Sequence, residues 1–197
     1  MDILSKIRDI FYSGSYAFSG DEATIKEIAF LVSHAYLHLD SFPIATKAEY
    51  FRKTEEVSSN PSLYDEAMGG GHGHMALKLI TAQFLEGKSD QKMRFEQSFC
   101  GYFPDILSAD KKTVAECGHT QNAEKMLAYF RQGKIHECIQ VPYPSLTDPE
   151  VFGYRFTPKS SFSEFLDLLG HKKNTNLRNA LAQREAKRGT GANSTRS

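Results

Sequence analysis

One glutamate limits the folds open to this chain more than any other residue. Residues 113–117 read Thr-Val-Ala-Glu-Cys, a short and mostly apolar run that forms a buried strand, with Glu116 inside it. Removing an unpaired carboxylate from water is costly, so the fold must give Glu116 a partner or an open edge. Just upstream, Pro104-Asp105-Ile106-Leu107 reads as extended chain and Ser108-Ala-Asp-Lys-Lys112 as a turn. If the two segments pair across that turn, Asp105 and Glu116 meet. Two carboxylates at a sheet edge suit a hard divalent ion such as Mg²⁺, which takes oxygen ligands at about 2.1 Å. Such an ion polarises a phosphodiester and lowers the pKa of an attacking water. The alternative is that Asp105 caps a turn and Glu116 faces solvent from an edge strand.

The surrounding pattern sets that pair in a mixed fold. Ile3, Ile7, Ile10 and Phe11 repeat at helical spacing. A second helix, with Ser19 or Asp21 as N-cap, carries Ile25, Ile28, Ala29, Val32 and Tyr36. Residues 41–66 read as a possible short strand around Ala48–Thr54, followed by loop. Gly69-Gly-Gly-His-Gly-His74 opens a helix that continues to Gly87, and residues 92–103 read as an aromatic-rich strand. After the strand at 113–117 come a helix over 122–131 closed by Gly133, strands at 135–141 and 151–157, and a helix over 161–170. This order predicts an α/β (α+β) fold, a mixed central sheet flanked by helices. The expected parts are a helical N-terminal region (1–66), a core (67–170) and a tail (171–197).

Residues 69–142 resemble the PD-(D/E)XK nuclease superfamily, whose core is a helix, three strands, a helix and a strand. The resemblance rests on Pro104-Asp105, on Glu116 in its apolar strand, and on the helix and strand that follow. It implies a restriction-endonuclease-like core and a metal-dependent nuclease in which Asp105 and Glu116 bind Mg²⁺ or Mn²⁺. The family places a lysine two residues after the second acid; here Glu116-Cys117-Gly118 puts glycine there. Lys125, one turn into the next helix, is the first candidate for a relocated cation. In some branches the first helix adds an acid or histidine, which points to His74, with Lys78 one turn later. Glu96 is a candidate further ligand. The rival reading is a catalytically inactive scaffold that binds nucleic acid or a protein partner, with Gly118 marking lost chemistry.

Other constellations weigh less. His34 and His38, expected on one helix, have chelating spacing but no intervening glutamate, so a histidine-based hydrolase using them with His72 and His74 is a third possibility. The glycine-rich helix start could bind an anion through free backbone N–H groups, or act as a hinge. Cys117 reads as a small core residue. Tyr102, Phe103, Tyr129, Phe130 and Tyr143 could stack on bases, or simply fill the core.

Composition narrows the setting. The chain has 197 residues and formal net charge zero, yet residues 170–197 hold seven basic side chains and one acid. That tail, with Lys172, Lys173, Arg178, Arg184, Lys187 and Arg188, is expected to be flexible and to meet phosphates of nucleic acid, DNA ahead of RNA. No run approaches the ~20 apolar residues of a membrane span, so no membrane partner is expected. The first 20 residues make a poor signal peptide. Three cysteines without metal spacing favour a reducing, cytoplasmic setting. A two-fold duplex substrate would favour a homodimer.

Overall fold

The computed structural model describes residues 2–12, 22–67, 69–119 and 123–163. The chain divides into two compact units, Met1–Lys159 and Ser160–Ser197. The second is described only over residues 160–163, a helical turn at the start of the expected final helix. The rest of that helix, the basic tail and the Ser19 or Asp21 cap lie outside the described residues.

The first unit is a six-stranded mixed sheet flanked by helices. Its helices are α1 (Ile3–Tyr12), α2 (Glu22–Ser33), α3 (Lys47–Ser59), α4 (His72–Glu86) and α5 (Glu124–Ala128). Its strands are β1 (Leu37–Thr46), β2 (Met93–Phe95), β3 (Ile106–Ser108), β4 (Thr113–Cys117), β5 (Glu137–Val141) and β6 (Glu150–Pro158). They lie in the order β1-β6-β5-β4-β3-β2, and β4 and β5 are the parallel pair. A parallel pair needs a crossover, which α5 and the π-turn Tyr129–Gly133 supply. No helix among the described residues is long and apolar enough to cross a membrane.

Three sequence expectations change. The first third supplies an edge strand as well as helices, because β1 pairs along its length with β6. Pro43 is tolerated there because an edge strand has a row of N–H groups with no ladder partner, and the register shifts between Pro43 and Ala45. The possible strand near 48–54 is instead helix α3. Thr46 caps it, accepting from the Glu49 N–H at 3.2 Å while the Glu49 carboxylate accepts from the Thr46 N–H at 2.7 Å. The long strand over 92–103 shrinks to three residues at β2. Glu96 adopts φ 50° and ends it, and the chain then turns back on itself at Cys100 (φ 52°) and Gly101 (φ 80°). Two central residues with positive φ make the turn that suits a two-residue hairpin, and Phe99 and Tyr102 exchange both backbone hydrogen bonds across it.

Side chains alternate across the sheet and divide its core in two. Ala115 and Cys117 of β4 and Ile139 and Val141 of β5 face α4, packing with Ala76, Leu77 and Ile80. Glu116 and its cross-strand partner Gln140 project from the opposite face, where Tyr129 sits. Because β3 runs antiparallel to β4 and β5 runs parallel to it, one end of the sheet gathers the start of β3 and the ends of β4 and β5.

Candidate functional site

That end holds the acidic pair. Ile106 pairs with Ala115 and Leu107 with Val114, which brings Asp105, just before β3, to the end of β4 beside Glu116 and Cys117. Each carboxylate is held by its own partners. Asp105 accepts the Cys117 backbone N–H at 2.7 Å and lies 3.1 Å from His74 Nε2. Its side chain is 16% exposed and that of His74 18%, so the dyad is mostly buried but still reaches solvent. The His74 ring is placed by the turn before α4. Gly70 has φ 82°, and a Cβ there would come within 2.8 Å of the imidazole. The glycines therefore let the backbone pass close to His74.

Glu116 is 3% exposed. Its Oε1 accepts the Tyr129 hydroxyl at 2.7 Å, and its Oε2 lies 3.5 Å from Lys125 Nζ. Burial pushes the Glu116 carboxyl up to about 7, opposed by Lys125 and reinforced by the negative charge of Asp105. The cost anticipated for a carboxylate in this strand is therefore real, and Lys125 and Tyr129 offset part of it. Burial, together with Glu116, in turn drives the Tyr129 phenol well above its ordinary range, so it stays a donor.

The remaining candidates fall elsewhere. Lys78 is fully buried; its Nζ donates to Glu96 Oε1 at 2.6 Å and to the Gly69 carbonyl at 3.2 Å. Together Lys78 and Glu96 fasten the glycine turn that carries His74, which is a positioning role. His34 lies beyond the end of α2, stacked 4.0 Å from the Phe30 ring, and His38 lies on β1. The expected chelating pair on one helix does not form, because the helix stops at Ser33 and Ala35 takes a positive φ. His72 is exposed at the start of α4. Cys117 is buried with its Sγ 3.8 Å from Thr81 Oγ1, a core position. Lys172, Lys173, Arg178, Arg184, Lys187 and Arg188 lie outside the described residues. Among the described residues, no group of three His, Cys, Asp or Glu side chains is gathered to hold a metal ion.

Two features escaped the sequence reading. Tyr129, taken for a stacking or core ring, is the hydrogen-bond donor to Glu116. Gly118 has φ 75°, and a Cβ there would lie 2.9 Å from the Tyr143 ring and 3.1 Å from His74 Nδ1. His119 then packs edge-on against Tyr143 at 4.9 Å. The position where the family expects lysine is thus closed by conformation and by neighbours. A Glu followed two residues on by Gly at a strand end was a visible sign of this turn.

Two expectations follow. Glu116 keeps its proton in the folded chain up to about pH 7 but loses it near 4.5 when unfolded, so the folded state binds more protons between those values. Stability of the metal-free protein therefore falls as pH rises through that window, by about 3 kcal/mol at most. Denaturant melts from pH 4 to 8 with chelator check this, and Glu116→Gln flattens the slope; an unchanged slope in that variant contradicts the assignment. Gly118→Lys costs about 1–3 kcal/mol through strain and overlap. Equal urea midpoints for this variant and the parent protein would overturn that reading.

Compared with protein-family models, with curated proteins and with solved structures, the chain matches none.

Proposed function

We propose that the chain is a metal-dependent nuclease of the PD-(D/E)XK type, with a restriction-endonuclease-like core running from α4 to β5. The observation that carries this reading is the meeting of Asp105 with the end of β4, where its carboxylate accepts the N–H of Cys117, the residue after Glu116, and where His74 and Lys125 also arrive. The order α4, β2, β3, β4, α5, β5 supports it, being a helix, three strands, a helix and a strand.

Asp105 and Glu116 would offer carboxylate oxygens of the kind Mg²⁺ or Mn²⁺ takes, with His74 beside Asp105, once the three side chains, not gathered as a metal cluster here, are drawn onto the ion. When bound, the ion supplies phosphodiester polarisation and an acidified water. The chain's own residues do the rest. The Cys117 N–H and His74 orient Asp105, and Tyr129 holds Glu116 in place. Lys125 brings positive charge to Glu116 from the crossover helix, in place of a lysine that would be strained at position 118. Glu96 contributes through Lys78 and the glycine turn. The partner is nucleic acid, DNA ahead of RNA, with the basic tail on backbone phosphates.

A specific observation also favours the non-catalytic scaffold. All four carboxylate oxygens of the pair already have partners within the chain or lie beside them, and Gly118 is built for glycine. Incubation of labelled single- and double-stranded DNA with Mg²⁺ or Mn²⁺ separates the two. The nuclease reading predicts cleavage that chelator abolishes and that Asp105→Asn or Glu116→Gln lowers at least about 100-fold with the fold intact. Cleavage that survives in the double variant overturns it, and no cleavage by the parent protein with either ion leaves the scaffold.

A further inference from the structure

Large apolar side chains are unevenly placed on the described surface. Four are exposed: Phe30, Phe51, Phe103 and Leu146. Two of these four, Phe103 and Leu146, lie in connections at the sheet end that carries Asp105. Phe103 directly precedes Pro104-Asp105. Leu146 lies in the connection that follows β5, and Phe51 in α3, which begins where β1 ends beside the start of β6. Isolated surface hydrophobes are ordinary, and Phe103 is singled out by its place two residues before Asp105.

The presentation of Phe103 is rigid. The Phe99–Tyr102 pair closes the two-residue turn through hydrogen bonds of 2.8 and 3.0 Å. Phe99 sits over Gly133, where a Cβ would meet the ring at 2.5 Å, and its ring lies 5.8 Å from that of Tyr129. Tyr102 meets the same Tyr129 ring edge-on at 6.0 Å. On the far side Pro104 is buried. Phe103 is thereby held between two anchored neighbours, yet it is 64% exposed. Tyr129, the anchor of this hairpin, is also the donor to Glu116, so the exposed ring and the buried acid share one support.

We propose that the substrate meets this site as an unpaired nucleotide strand, with Phe103 stacking on a base beside the phosphate presented to Asp105. The proposal rests on the nuclease reading and narrows its substrate class. A duplex keeps its bases stacked inward and offers chiefly phosphates, which call for surface cations. An unpaired strand exposes base faces, and aromatic rings bind those without regard to sequence.

The test is fluorescence anisotropy with a labelled oligo(dT) of about a dozen nucleotides, against a duplex of the same length, using the full chain with chelator present. Salt near 0.3 M suppresses the sequence-independent phosphate contribution of the tail. Because metal is absent, the outcome does not depend on whether Asp105 and Glu116 bind an ion; ion binding is read separately by calorimetric titration of Mn²⁺. The single strand is expected to bind more tightly than the duplex. Phe103→Ala and Phe103→Leu should weaken it about ten-fold, while Phe103→Trp retains it. Duplex bound as tightly as single strand, or Phe103→Leu or Phe103→Ala matching the parent protein, overturns the proposal. Phe103 is exposed, so these substitutions leave the core untouched.

Discussion

The end of the sheet is organised around a carboxylate that the strand forces out of water. Glu116 lies in β4 between Ala115 and Cys117, whose side chains pack toward α4, so its own side chain must leave by the other face. There it meets Tyr129 and Lys125, both delivered by the crossover between the parallel strands β4 and β5. A buried charge lacking such partners would be displaced or neutralised. The crossover has to place a donor and a cation over this one position. That requirement ties α5, the π-turn and the Phe99–Tyr102 hairpin, which stacks on Tyr129, into one support.

The second acid is built from the opposite face. Asp105 caps the end of β4 by accepting the Cys117 N–H, and the glycine turn before α4 lets His74 come against it. Lys78 and Glu96 hold that turn from beneath. Gly118 stands at the junction of the two halves, and its left-handed backbone is what lets Tyr143 and His74 close around it. A lysine there would collide with both. In the proposed nuclease, Lys125 brings the positive charge from the side of the sheet that faces Glu116.

Much of this was legible in the residues. The apolar run around Glu116, the Pro-Asp upstream and the turn between them located both acids, and helical spacing located α1, α4 and the start of α5. Local signals failed where they conflicted. Pro43 argued against regular structure, yet an edge strand accepts it. The Thr46-Lys-Ala-Glu49 capping box lay unread in a segment whose aromatics suggested strand. The aromatic run 92–103 looked like one strand because the positive φ of Glu96 and Cys100 leaves no compositional trace. Long-range placement was not legible at all. Nothing local says that Lys78 pairs with Glu96, that Tyr129 reaches Glu116, or that His34 and His38 part at the end of α2.

The most direct test of the paired acids is a crystal structure with Mn²⁺, located by its anomalous scattering. The nuclease reading predicts one ion at the end of β3 and β4, touching both Asp105 and Glu116, with His74 beside it and Lys125 moved off Glu116. An Mn²⁺-soaked crystal with Asp105 still on His74, Glu116 still on Lys125 and Tyr129, and no anomalous peak between them would contradict it.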